Sequence, residues 1–177
     1  MSGRYSLVEK LSADHEVAGF DCGIPPLDTW LVRFALVNQV AGTAQTYVIL
    51  RAKRVVGYYA LAAGSVTHDE SPDRISKGLA RHPIPVVTIA RLAVDRKEQG
   101  KGLGSALLKD ALVRIADAAE IVGVRAVLIH AKDKKARSFY ERFDFIPSPA
   151  DPLQMFLLMK DLRRALGRER FAASRLS

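Results

Sequence analysis

Three glycines at alternate positions, Gly100, Gly102 and Gly104, follow an apolar run that ends at Val94, and a helical pattern follows them. Strand, glycine loop and helix in that order can form an anion site. The unpaired N–H groups of the first helical turn and the positive end of the helix dipole point the same way. Glycine lets the backbone close on a phosphate without a Cβ in the way. The cradle would consist of Gln99, Gly100, Lys101, Gly102, Leu103, Gly104 and Ser105, with Lys101 adding positive charge. It is not the phosphate loop Gly-x-x-x-x-Gly-Lys-Ser/Thr, and its glycines lie too close together for the dinucleotide fingerprint. Taken alone, the segment also fits an ordinary tight turn with no ligand. His68, His82 and His130 lack metal-ligand spacing, so no metal site is expected. Cys22 reads as a packed apolar residue.

The elements that must hold this loop can be read from periodicity. Val86 to Val94 is an apolar strand. A helix from about Gly102 to Ala119 carries Leu107, Ala111, Ile115 and Ala118 on one face, with Asp110, Arg114 and Asp117 opposite. Val124 to His130 is a further strand, so this stretch is one βαβ unit, expected to be parallel and right-handed. Upstream, Tyr5 to Leu11 reads as a strand and Asp14 to Ala18 as one helical turn. Pro25 and Pro26 suit a helix's first turn, and Leu27, Trp30, Leu31, Phe34, Ala35 and Asn38 carry the helix to about Val40, with Gly42 ending it. Thr46 to Leu50 and Val55 to Val66 form a hairpin, in which Gly57 and Gly64 suggest bends or bulges. His68 to Pro85 is a long irregular connection. Lys134 to Arg142 is a short helix bearing Tyr140, and Phe145–Ile146 and Gln154 to Met159 are the last strands. From Lys160 a basic tail is expected to hold a short helix and then disorder. The order β-α-β-β-β-α-β-α-β gives an α+β fold with a mixed sheet and flanking helices. One domain over residues 1–160 and a basic tail over residues 161–177 are expected.

Composition narrows the partners. Apolar content of 49% supports a packed core, and 177 residues suit one domain. The net charge of +8, with a pI near 9.8, favours a polyanionic partner, although excess charge also serves solubility alone. A single cysteine rules out an internal disulfide and suits a reducing cytoplasm. Met1 to Arg4 shows no apolar signal core, and no apolar run approaches spanning length, so no membrane association is expected.

Gln99-x-x-Gly102-x-Gly104 resembles the acyl-CoA pyrophosphate loop of the GNAT acetyltransferases. Ala136-Arg137-Ser138-Phe139-Tyr140-Glu141-Arg142-Phe143-Asp144-Phe145 resembles that family's Ala-x-x-Phe-Tyr-x-x-x-Gly-Phe segment, with Asp144 where the family has glycine. Asp tolerates left-handed backbone better than most residues, so the turn can survive. Three further blocks resemble the GNAT toxins of bacterial toxin–antitoxin pairs. They are Phe20 to Leu31, Gly57 to Val66, and Pro83 to Val86 followed by Ala90 to Asp95. The resemblance spans roughly Tyr5 to Met159 and implies the GNAT fold: a mixed, mostly antiparallel sheet around a central parallel βαβ acyl-CoA unit. It implies acetyl-CoA as co-substrate and aminoacyl-tRNA as acceptor. It also implies a ribbon-helix-helix antitoxin partner, DNA contact only through the antitoxin complex, and a homodimer. In such a protein the backbone of Leu92, Ala93 and Val94 binds pantetheine and polarises the thioester carbonyl, and Tyr140 protonates the departing thiolate.

The chemistry of the residues agrees with this. A tyrosine with an ordinary pKa of about 10 stays protonated at neutral pH. The strand Val86 to Val94 contains no carboxylate, and Arg91 stands where a base is often placed. Arg91 could equally serve a structural ion pair. An α-amine, at about 7.7–8.0, needs far less help to deprotonate than a lysine at about 10.4. A missing base therefore favours an aminoacyl ester, although Asp95 or water could serve. Two alternatives stand beside this reading: a GNAT enzyme for a small amine or a protein N-terminus, and a non-enzymatic binding module.

Overall fold

The computed structural model describes residues 3–167, and the chain falls into two compact units, residues 1–62 with 89–111 and residues 63–88 with 112–177. Strands β3 (Arg54–Val66) and β4 (Ile84–Val94) and helix α4 (Leu103–Ala118) contribute to both.

In the first unit the strands β1 (Glu9–Lys10), β2 (Gln45–Arg51), β3 and β4 lie in that order. β2 and β3 form the expected antiparallel hairpin. Its register slips once: Ile49 pairs with Gly57, but Leu50 pairs with Val55, which leaves Val56 as an extra residue. Gly57 sits beside this bulge for a packing reason. A Cβ there would meet Leu107 Cδ1 at 2.9 Å and Ile49 Cγ2 at 3.0 Å. Alternation along β3 sends two buried tyrosines to opposite faces. Tyr58 packs against Phe20 and Trp30, and its hydroxyl donates to Leu27 O at 2.7 Å. Tyr59 stacks on Tyr47, and its hydroxyl donates to Asp110 Oδ2 at 2.6 Å. One strand thus fixes the N-terminal helical segment on one face and α4 on the other.

That N-terminal segment is not one regular helix. α1 (Pro25–Thr29) and α2 (Ala35–Ala41) are separated by a π-helical turn, Trp30–Phe34, where the Ala35 amide reaches back to Trp30 O. Gly42 ends α2 in the left-handed conformation, as its position predicts. The strand expected over Tyr5 to Leu11 shrinks to β1 and an isolated bridge between Tyr5 and Arg51. Asp14 to Ala18 forms turns and a bridge from Glu16 to Arg54, not a helical turn.

In the second unit the order is β4, β5 (Ala126–His130), β7 (Gln154–Leu158) and β6 (Ile146–Pro147). β5 runs parallel to β4 and antiparallel to β7. The near-continuous burial of β5 and β7 marks strands covered on both faces. Val66, Ile75, Ile84, Val86, Phe156 and Leu158 share one core cluster. The irregular connection contains a short helix, α3 (Asp73–Ser76), which supplies Ile75 to that cluster. Helix α5 (Lys134–Glu141) is capped by Asp133, whose carboxylate accepts the Ala136 amide at 2.8 Å. The chain leaves β7 directly into α6 (Met159–Ala165), so Met159 opens a helix where it was expected to end a strand. The disorder expected at the end of the tail falls on residues 168–177, outside the described residues.

Candidate active site

The glycine loop is held at its base by side chains that the spacing of glycines does not reveal. Asp95 follows β4 and is buried. Its Oδ1 accepts the Lys97 amide at 3.0 Å, capping the 3-10 turn Arg96–Glu98. Its Oδ2 accepts the Asp21 amide at 3.2 Å and Arg54 Nη2 at 3.0 Å. Both oxygens are thus engaged in structure, and Asp95 is an anchor, not the free base that its place at the end of the strand allowed. Gln99 has a similar role. Its Nε2 donates to Val94 O at 2.8 Å and to Cys22 O at 3.1 Å, tying the loop back to the end of β4.

Glu98 is the second fastening. Its side chain is 7% exposed and receives the Tyr5 hydroxyl, Arg51 Nη1 at 2.6 Å and Lys101 Nζ at 3.1 Å. The Tyr5 hydrogen bond, with Arg51 and Lys101 behind it, outweighs desolvation and holds the Glu98 carboxyl down at about 2. Lys101 therefore brings positive charge to the loop while pinned beneath it.

Above these anchors the loop is open. Gly100 and Gly102 have φ of 78° and 85°, the left-handed region that disfavours a Cβ, and nothing lies within 4 Å of where a Cβ would stand. The first backbone bond of α4 runs from the Ala106 amide to Gly102 O at 3.1 Å. The amides of Leu103, Gly104 and Ser105 therefore precede the helical ladder, at the positive end of a 16-residue helix. The start of the helix thus presents backbone amides with a cation beside them, and that chemistry suits a diphosphate.

Leu92, Ala93, Val94 and Gln99 to Ser105 lie together in the first unit. So does Arg91, whose guanidinium lies 4.2 Å from the centroid of Trp30. Trp30 in turn stacks on Tyr58, with centroids 5.9 Å apart and planes inclined by 12°. Burial raises the Tyr58 hydroxyl far above its ordinary range, against the opposing effect of Arg91. Arg91 has no carboxylate partner among the described residues, so its role is not an ion pair.

Tyr140 lies in the second unit, on α5. Its ring packs against Phe139 and Phe145. Burial alone pushes its hydroxyl up to about 12. The hydroxyl has no hydrogen-bond partner among the described residues, yet it is not one of the sealed polar atoms. Three residues beyond the end of α5, Asp144 adopts φ of 69°, the left-handed turn expected where the family has glycine.

Fold and loop together define an acyl-CoA-type transferase, and comparison with known proteins agrees. Residues 42–147 match the acetyltransferase (GNAT) domain family. The chain belongs to the GNAT acetyltransferases and, within them, to the branch of the tRNA-acetylating toxins. It is 50% identical to the tRNA-acetylating toxin of Mycobacterium tuberculosis over 167 residues, covering 94% of this chain and 99% of that protein. It is 31% identical to the probable toxin TacT of Sinorhizobium fredii, covering 91% and 95%. Among solved structures, AtaT complexed with acetyl-methionyl-tRNAfMet superposes with a TM-score of 0.84 at 27% identity, covering 92% of this chain and 99% of that one. A variant of AtaT bound to acetyl-CoA and to the C-terminus of the antitoxin AtaR gives 0.78 at 27% identity, covering 92% and 98%. The GNAT fold expected from the sequence is thus the fold of this chain.

Proposed function

We propose that this protein transfers the acetyl group of acetyl-CoA to the α-amino group of aminoacyl-tRNA and thereby blocks translation. The observation that carries the reading is the 50% identity to a tRNA-acetylating toxin along 94% of the chain. The amides of Gly100 to Ser105 hold the CoA diphosphate, with Lys101 beside them. The backbone of Leu92 to Val94 binds pantetheine and polarises the thioester carbonyl. The neutral amine attacks the carbonyl carbon, the new C–N bond forms, and the C–S bond breaks with its electron pair on sulfur. Tyr140 gives its hydroxyl proton to that thiolate and regains one from solvent, while water takes the proton lost by nitrogen. With Asp95 committed to the loop and no carboxylate in β4, the chain offers no strong base there. That suits an α-amine better than a lysine.

The +8 charge supports binding to the tRNA backbone. Arg163, Arg164, Arg168, Arg170 and Arg175, in the basic extension of an acetyltransferase domain spanning residues 1–160, would add phosphate contacts. A ribbon-helix-helix antitoxin that also carries the complex to DNA, a homodimer, and action in the cytoplasm complete the reading. The test is incubation with labelled acetyl-CoA and charged total tRNA, followed by mapping of the acetylated species. Label on aminoacyl esters is expected. Label only on small amines or protein N-termini, or on nothing, would reject it.

A further inference from the structure

We infer that Arg91, whose guanidinium carbon lies over the Trp30 ring, is an anchor for a phosphodiester of the acceptor strand of the tRNA and so positions the amine for attack. The inference rests on the acetyltransferase reading above.

Direction along β4 gives the first argument. If the diphosphate sits at residues 99–105 and pantetheine runs back along Val94, Ala93 and Leu92, the acyl end lies toward the start of β4. Arg91 is the next residue in that direction, beyond the donor. At about 3.3 Å per residue in an extended strand, its Cα is roughly 7 Å from that of Ala93. It therefore stands on the acceptor side, within one side-chain length of the reacting centre.

The state of the guanidinium gives the second. One face is covered by Trp30 at 4.2 Å, and Trp30 is itself fixed by stacking on buried Tyr58. The layered stack removes rotamer freedom before any ligand arrives, which lowers the entropic cost of binding. Arg91 is only partly buried and has no carboxylate partner among the described residues, so its edge N–H groups remain available. A fixed, planar, permanently charged fork suits bidentate recognition of a phosphate. A cation here gives no help in removing a proton from an amine by hydrogen bonding, since guanidinium has no acceptor.

The surroundings give the third. Arg33 and Phe34 close the π-helical turn that begins with Trp30, and both are exposed, Phe34 to 48%. Cations interleaved with an exposed aromatic ring are the usual platform for single-stranded nucleic acid, where bases stack while phosphates pair. A small-amine acceptor would need neither.

The test uses the full chain with Arg91→Gln and Arg91→Lys. Initial rates are measured against charged tRNA over a range of salt, and acetyl-CoA affinity is measured separately at equilibrium. For Arg91→Gln the KM for charged tRNA is expected to rise about tenfold, with kcat within about threefold of wild type and acetyl-CoA affinity unchanged. The slope of log KM against log salt should fall by about one phosphate contact, near 0.7 for a single strand. Arg91→Lys should retain the salt slope and lose part of the affinity, because it keeps the charge without the fork. It also serves if the Gln variant fails to fold. An unchanged salt slope in Arg91→Gln, a matching loss of acetyl-CoA affinity, or a shift in the pH profile of kcat with KM untouched would each overturn the inference. If wild type itself fails to acetylate aminoacyl-tRNA, the functional reading fails instead, so the two failures are distinguishable.

Discussion

Arg51 Nη1 donates to Glu98 Oε1 at 2.6 Å, joining the end of β2 to the turn beneath the glycine loop. With Tyr5 and Lys101 on the same carboxylate, three donors from separate parts of the chain meet at one buried acid. The loop therefore rests on a charged pin, and its shape depends on that charge.

Glu98→Gln should loosen the pin. It removes the charge while keeping the size, and leaves Arg51 and Lys101 without their counter-charge. A loss of about 2 kcal/mol is expected from hydrogen bonds to a charged group, or roughly 4–8 °C in Tm for a chain of this length. The acetyl-CoA dissociation constant should rise at the same time. The pH dependence follows from the depressed carboxyl. Its folded value of about 2 lies below the ordinary 4.5, so this contribution is fully present above pH 4.5 and is lost as pH falls toward 2. Denaturation from pH 7 to pH 2.5 should show a steeper loss in wild type than in Glu98→Gln. Parallel curves would show that Glu98 does not hold the loop.

Two kinds of glycine should respond differently to alanine. At Gly100 and Gly102 there is open space but a left-handed backbone, so Gly100→Ala and Gly102→Ala cost about 1–2 kcal/mol through strain. Their main effect should be on acetyl-CoA binding, weakened about tenfold or more, since relief of the strain moves the amides. Gly57 carries no such strain, but a Cβ meets Leu107 and Ile49 at 3.0 Å or less. Gly57→Ala should cost about 1–3 kcal/mol of stability through overpacking and lower Tm accordingly. Calorimetry with ligand titration on all three variants separates the two mechanisms.

Asp144 offers a check on the turn after α5. Its φ of 69° is tolerable for Asp and costly for a β-branched residue. Asp144→Gly should be neutral or stabilising by up to about 1 kcal/mol, and Asp144→Val destabilising by about 1–2 kcal/mol. Equal midpoints for the two variants in urea would show that the left-handed turn carries no strain.

Much of this architecture was legible in the sequence because it is local. The apolar strand before the glycines, the helix after them and the short helix bearing Tyr140 each announce themselves by periodicity within a short window. The left-handed turn at Asp144 was legible only through the family resemblance, which places a glycine there. What escaped was non-local or aperiodic. Glu98 looks like a solvated charge in a Lys-Glu-Gln run, and its partners Tyr5 and Arg51 lie 93 and 47 residues away. The π-helical turn at Trp30–Phe34 leaves no mark in a pattern that already reads as helical. Arg91 could be flagged as unusual in an apolar strand, but only the fold reveals that its neighbour is Trp30 and not a carboxylate.

Tyr140→Phe separates chemistry from packing. The ring sits between Phe139 and Phe145, which phenylalanine preserves, and the hydroxyl has no protein partner among the described residues to lose. Tm should change by no more than about 2 °C, and acetyl-CoA should bind as in wild type. If the hydroxyl protonates the thiolate, kcat should fall by about 100-fold or more, the range for losing a general acid. The pH profile adds a signature. Because burial pushes the hydroxyl up to about 12, it stays protonated through pH 10. The wild-type rate should therefore rise as the acceptor amine loses its proton near pH 8 and then stay level, with no alkaline decline from this group below pH 10. A rate in Tyr140→Phe equal to wild type would remove Tyr140 from the mechanism. A wild-type decline between pH 8 and 9 would point to a different acid.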